Sequence, residues 1–475
     1  MSRASDRLAE AAAVRPSARQ LAWQLREFYG FLHFGMNTMT DREWGLGRED
    51  PALFDPAEVD AREWVRDLAA AGMTGVILTC KHHDGFALWP SAQSAHTVAA
   101  SPWRGGDGDL VREVADACRA EGLGFGVYLS PWDRTEASYG AGRAYDDFFV
   151  AQLTELLTGY GPVFAVWLDG ANGEGADGRR QYYDWDRYYE VIRRLQPDAV
   201  ISVCGPDVRW CGNEVGHTRA EEWSVVPASL REAELTESRS QRVDDGQFSR
   251  SVRSDDDDLG GRSAILGSDE PLAWYPAEVN TSTRPGWFHH AAEDALVRSA
   301  AELFEIYRRS VGGNATFLLN VPPAASGRIA DADRRMLAEL GARIRSLDET
   351  DLALAATVTY SSSPLAAAPG VGGVWRPEQA DPAPTVRLRF AADAALAGVG
   401  LREDIAEGQQ IDGFVVRLRD AQGSLLAEHA GASVGAQRIV DTPAHGVREV
   451  QIEITGSRGP LALSQVRVFA GTGTW

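Results

Sequence analysis

Four consecutive residues, Lys81-His82-His83-Asp84, place two imidazoles, a carboxylate and the chain's only lysine directly after the apolar run Gly75–Cys80. The pattern recurs along the chain. His33 lies in the run Phe28–Phe34, with Glu43 and Trp44 shortly after it, and Trp89 follows the second run. Tyr128, Trp132 and Asp133 lie at the end of Gly124–Ser130, and Trp167 and Asp169 near the end of Pro162–Gly170. Ala199–Gly205 leads into Asp207, Arg209, Trp210 and Glu214, and later exits carry Glu222, Trp223, Glu278, Arg284, Trp287 and Asn320. Carboxylates, neutral donors and acceptors, and indole rings in this mixture suit a carbohydrate. A sugar offers apolar faces to stack on rings and hydroxyls that need paired partners. Two acids flanking a glycosidic bond are also what its hydrolysis requires.

The elements that position these groups follow from the apolar pattern. Amphipathic segments such as Ala57–Met73, "GDLVREVADACRAEG", "YDDFFVAQLTELLTGYG" and "WDRYYEVIRRLQPD" alternate with the apolar runs, which predicts parallel β/α units. Glu221–Val226, Leu272–Val279 and Ala315–Val321 are the expected sixth, seventh and eighth strands. Together the eight runs predict an α/β fold, a (β/α)8-like TIM barrel over residues 1–345, whose strand exits would carry the site. An open doubly wound sheet is the competing arrangement, but no glycine-rich fingerprint follows the first strand. From residue 346 to 475 short alternating strands separated by Gly, Pro, Asp and Ser predict an antiparallel β-sandwich, with a packing or carbohydrate-contacting role.

Bulk properties narrow the functions. A formal charge of -21 disfavours nucleic acid and anionic membrane surfaces as partners. Cys80, Cys118, Cys204 and Cys211 form no CxxC pair, so neither a disulfide framework nor a zinc site is expected. No apolar leader or membrane span is legible, and a cytoplasmic protein is the expectation. Neighbours on an extended strand point to opposite faces, so His82, His83 and Asp84 should not share a metal ion. "SDDDDLGG" lacks the alternation of a calcium loop and is expected to be a solvated loop or cap. No metal and no cofactor is expected.

The blocks "HFGMNTMT", "EWG", "KHHDGFALWPS", "YLSPWD", "VWLDGA", "GPDVRWCGNEVG" and "PAEVNTSTRPGWF" resemble, in order, those of the family 29 glycoside hydrolases, the retaining α-L-fucosidases. The match covers roughly Trp23 to Pro323, and "GNE" and "RPGWF" resemble the branch acting on α-1,3/1,4-linked fucose. The resemblance implies Asp169 as nucleophile and Glu214 as acid/base, with Glu222 the next candidate. It implies that His33, Glu43, Trp44, His82, His83 and Tyr128 grip the sugar. Trp223, Glu278, Arg284 and Trp287 would be further contacts, and Trp89 and Trp167 platforms at strand exits. Asn280 stands where relatives are expected to carry Asp. The implied partner is a fucosylated oligosaccharide. Two other readings stay open: a glycosidase for a similar sugar such as an α-L-galactoside, and a catalytically silent carbohydrate-binding protein.

Overall fold

Apolar runs need cover on both faces, and the helices between them supply it. A computed structural model describes residues 3–240, 248–251, 260–362 and 373–471. Of the acidic tract "SDDDDLGG", all but Gly260 and Gly261 lies outside those residues, as does its expected role. The barrel strands are β1 (Phe28–Leu32), β2 (Gly75–Lys81), β3 (Gly124–Leu129), β4 (Ala165–Leu168), β5 (Val200–Val203) and β6 (Arg209–Trp210). After β7 (Val225–Pro227) and β8 (Leu272–Trp274), which among the described residues pair only with each other, come β9 (Ala277–Ser282) and β10 (Thr316–Asn320). The barrel sheet is wholly parallel, in the order β5-β4-β3-β2-β1-β10-β9-β6.

Helices Ala61–Ala70, Leu110–Glu121, Arg143–Gly159 and Trp185–Leu195 precede β2, β3, β4 and β5. Three begin at an aspartate, Asp60, Asp109 or Asp184, whose carboxylate accepts first-turn N–H groups. Their apolar faces join the outer sides of the strands in one large core, with Trp64, Leu68, Val114, Leu153 and Ile192 among its buried members.

The sixth strand departs from expectation. Glu221–Val226 is not a barrel strand, because Val225 and Val226 belong to the antiparallel ribbon β7–β8 outside it. Their apolar character serves small clusters with Ile265 and Trp274 on one side and Trp223 and Tyr275 on the other. The barrel's own sixth strand is Arg209–Trp210, too short to show any periodicity. Its neighbour is β9, and among the described residues only an isolated bridge, Ser202 to Val208, links it towards β5. The barrel is therefore nearly closed, with its thinnest staves at β6.

Helix Asp331–Glu349 runs across positions 345 and 346 and leads into the second domain. There β11 (Thr357–Tyr360), β12 (Thr385–Glu403), β13 (Ile411–Arg419), β14 (Leu425–Gly431), β15 (Arg438–Ser457) and β16 (Leu463–Ala470) pair antiparallel. The long strands β12 and β15 change register at several points along their pairing. The domain has its own core, which includes Trp375, Leu388, Val416 and Val450. All four cysteines are free and buried. Among the described residues no helix is long and apolar enough to cross a membrane.

Candidate active site

A bulge in β2 decides which side chains reach the barrel mouth. Thr79 pairs with Tyr128, but Lys81 pairs with the next residue, Leu129, so one extra residue is accommodated. A one-residue slip reverses sidedness. Lys81 therefore turns into the helix layer rather than towards the mouth, where the sequence pattern had put it. Its ammonium meets Asp133 at 2.6 Å and Gln152 at 2.9 Å, with the Phe148 ring 5.2 Å away. His82 and His83 lie past the strand end in a turn closed by Gly85 N–H to His82 C=O. Both rings face one hollow, their centroids 4.0 Å apart, so the opposite-face rule does not hold there.

That hollow has about 560 Å³ of empty space. His33, Trp44, His82, His83, Trp167, Asp169, Trp210, Glu214, Asn280 and Trp287 line it, with Phe31 and Val203. Asp169, 21 % exposed, is held at both oxygens: Tyr128 O–H donates to Oδ2 at 2.9 Å and Ala171 N–H to Oδ1 at 2.7 Å. His83 Nε2 lies 3.9 Å from Oδ2. Across the hollow, Trp287 Nε1–H donates to Glu214 Oε2 at 3.2 Å. Trp210 Nε1–H donates to Asn280 Oδ1 at 3.0 Å.

The three imidazoles are neutral and point different functions inward. Burial lowers His33 to about 3, His82 well below its usual value and His83 to about 4. Their tautomers follow from the partners of Nδ1. Asn320 Oδ1, an acceptor, lies 2.9 Å from His33 Nδ1, leaving His33 Nε2 as an acceptor. Asn37 donates from Nδ2 both to the Glu43 carbonyl and to His82 Nδ1, so His82 carries its proton on Nε2. Ser130 gives its hydroxyl proton to the Trp132 carbonyl and accepts from His83 Nδ1, so His83 Nε2 accepts. Acceptor, donor and acceptor together suit a set of sugar hydroxyls.

Other candidates from the sequence lie elsewhere. Glu43 is buried behind the hollow, where its carboxylate accepts the N–H groups of Trp287 and Phe288 at 2.7 and 3.0 Å and pairs with His290. Gly286 allows this approach, because a Cβ there would come within 2.2 Å of Glu43 Oε1. Tyr128 touches Asp169 from below and is fully buried. Trp89 does not reach the mouth: Leu88 N–H bonds back to the Cys80 carbonyl, and Trp89 packs in the helix layer with Nε1 on Glu155. Trp223 lies under the Arg458 guanidinium in the seam between the domains. Arg284 is an internal anchor, paired with Asp333 at 2.6 Å and Asp294 at 2.7 Å. Glu222 is 1 % exposed and paired with Arg209 and Arg219, each at 2.8 Å, which holds it below the usual carboxylate range against the opposing effect of burial.

Glu278 lies inside the barrel, accepting from Trp167 Nε1 at 2.9 Å and from the Tyr29 hydroxyl. Burial pushes it up to about 7 from an ordinary 4.5. The folded state thus holds this proton more tightly than the unfolded chain. Its stabilising contribution is fully present below about pH 4.5 and is lost as pH rises through about 7. Glu278→Gln should therefore gain on wild type by about 3 kcal/mol between those limits, read by denaturant unfolding across pH. A gap independent of pH would contradict the assignment.

Sequence reasoning gave no signal for Val203 and Ser240, both of which line the hollow. Val203 has φ +69°, a region unfavourable to a β-branched residue. Ser240 closes over Gly170, where a Cβ would lie 2.2 Å from its hydroxyl. A second hollow of about 840 Å³ shares Trp44 and Ser240 with the first. Trp132, Asn172, Arg180, Tyr182 and Glu237 line it. Tyr182 is 89 % exposed.

Comparison with known proteins agrees with this geometry. The profile of the alpha-L-fucosidase family matches residues 34–348. Alpha-L-fucosidase 1 of Arabidopsis thaliana is 39 % identical over 437 residues, covering 90 % of this chain and 81 % of that protein. A Bacteroides ovatus crystal structure is 40 % identical with a TM-score of 0.84, covering 98 % of this chain and 76 % of that one. A Ruminococcus gnavus family 29 fucosidase, solved in complex with fucose, is 27 % identical with a TM-score of 0.81, covering 97 % and 95 %. With this fold and these matches, the chain belongs to the alpha-L-fucosidase family, glycoside hydrolase family 29.

Proposed function

We propose that the enzyme is an exo-acting, retaining α-L-fucosidase that removes terminal α-1,3/1,4-linked L-fucose from branched oligosaccharides. Asp169 is the nucleophile and Glu214 the acid/base. The carrying observation is that both carboxylates line the same small hollow, among neutral imidazoles and indole rings. In the first step an Asp169 oxygen bonds to C1 while the C1–O bond to the aglycone breaks, and Glu214 passes its proton to the departing oxygen. In the second, Glu214 takes a proton from water, the water oxygen bonds to C1, and the Asp169–C1 bond breaks. Glu222 is unsuited to the acid role because its charge is locked between two arginines.

The branch preference is supported by the "GNE" and "RPGWF" blocks and by the second hollow beside Trp44, which has room for the rest of a branched glycan. Tyr182 offers it a stacking face. Tyr182→Ala should lower kcat/KM about five- to tenfold on a fucosylated trisaccharide and less than about twofold on an aryl fucoside. Equal values for variant and wild type on the trisaccharide would remove the second hollow from the reading. The main test is a panel of α-1,2-, α-1,3-, α-1,4- and α-1,6-linked fucosides with NMR of the fresh product. α-L-Fucose should appear first, from the α-1,3 and α-1,4 linkages. A β anomer appearing first would exclude retention, and preferential cleavage of α-1,2 would exclude the branch assignment.

A further inference from the structure

The loop that carries Glu214 springs from the weakest strand of the barrel. β6 has two residues; beyond them Cys211 N–H donates to the Glu278 carbonyl at 3.0 Å, and on the barrel side Arg298 donates to the Val215 carbonyl at 3.4 Å and Trp287 to the Glu214 carboxylate at 3.2 Å. Within the loop, Asn213 Oδ1 accepts from Val215 and His217 N–H and its amide donates to the His217 carbonyl, a tight turn around Glu214. The loop's two ends are tied by the buried Arg209–Glu222 pair.

Its far end is held largely from the other domain. Ala432 and Ser433 N–H donate to the Glu221 carboxylate at 3.2 and 2.7 Å. Ser433 O–H donates to the Glu222 carbonyl at 2.6 Å. Arg438 donates to the Ala220 carbonyl at 2.8 Å and to Glu221 at 3.2 Å. Gln409 accepts from Ser224 N–H at 2.8 Å and donates to Ser433 Oγ at 2.9 Å. Arg458 covers the Trp223 ring at 4.0 Å. The barrel contributes Asn314, which donates to the Glu222 carbonyl at 3.0 Å while accepting from Ala436 N–H. Apart from Asn314, these partners lie in the turn between β14 and β15, at the two ends of β15 and in the segment before β13, all within the second domain.

We propose that the β-domain is a positioning element for the catalytic acid, with Glu221 and Arg438 as the positioning pair that sets where Glu214 stands relative to the leaving oxygen. The inference rests on Glu214 being the acid. Misplacing a proton donor by about 1 Å costs up to a hundredfold in rate, so a clasp seven residues along the loop, at Glu221, can control it. Such a role predicts a leaving-group signature. A donor whose leaving group needs a proton should suffer, and one that departs unaided should not.

The test uses the full chain and two donors, a fucosylated oligosaccharide and α-L-fucosyl fluoride, with Glu214→Gln as reference. Glu221→Ala and Arg438→Ala should each lower kcat/KM on the oligosaccharide about tenfold and on the fluoride less than about twofold. The double variant should be no worse than about twofold below the weaker single, because both remove one interaction. Glu221→Gln, which keeps an acceptor, should recover part of the loss. Equal losses on both donors would mean general destabilisation and overturn the proposal, as would no loss on either. If Glu214→Gln discriminates between the donors and the clasp variants do not, the clasp alone is refuted. If Glu214→Gln itself fails to discriminate, the acid assignment falls and the clasp with it.

Discussion

Asp169→Ala is expected to lower kcat by about 10⁴-fold or more while leaving fucose binding within about tenfold, measured by steady-state kinetics and calorimetry. The expectation follows from how the carboxylate is held. Tyr128 and Ala171 fix its two oxygens, which sets its orientation towards the hollow before substrate arrives. Among the described residues, Glu222 and Glu43 cannot replace it, because Glu222 is sealed in its ion pairs and Glu43 holds backbone N–H groups. The imidazoles and indoles that meet the sugar are untouched, so affinity should survive. Azide adds a stereochemical readout. Entering from the side vacated by the carboxylate, it should give the inverted β-fucosyl azide. Residual turnover within about a hundredfold of wild type would remove Asp169 from the nucleophile's role.

The second large effect is expected at Glu214. Glu214→Gln should cost about 10²–10⁴-fold on an oligosaccharide, whose leaving oxygen needs a proton, and far less on the formation of the covalent intermediate from fucosyl fluoride. Glutamine keeps the size of the side chain and can still meet Trp287, so the difference isolates the proton. The intermediate should then accumulate, since water has lost its base. Azide needs no base and should release it with retained configuration, as α-fucosyl azide. Opposite azide anomers from the two variants would separate the two roles in one experiment. Identical anomers from both would contradict the assignment.

The barrel was legible because its first five strands and its last are buried on both faces and so read as unbroken apolar runs between helices. The Val225–Val226 run misled for the same reason, since burial in the small clusters beside the barrel looks like burial in its wall. Arg209–Trp210 carries no pattern at all; only its pairing with β9 reveals it. Within the site, strand-exit reasoning located Asp169, His82 and His83. It could not foresee the bulge that sends Lys81 outwards, because a slip in register leaves no mark on composition. Trp89 and Arg284 misled because proximity to a strand end does not say which way the chain turns next. Glu43 is a different case: its hold on the pocket's wall through the Trp287 and Phe288 N–H groups leaves no mark on the local sequence.

Lys81 has a practical consequence beyond its pairing with Asp133. It is the chain's single lysine, and it is 0 % exposed. Acylating reagents therefore find no side-chain amine on the folded enzyme, and covalent coupling to amine-reactive resins has no lysine handle to use. Any label that does appear on Lys81 marks a molecule in which the helix layer has opened, so its rate of modification reports directly on how often this part of the barrel comes apart.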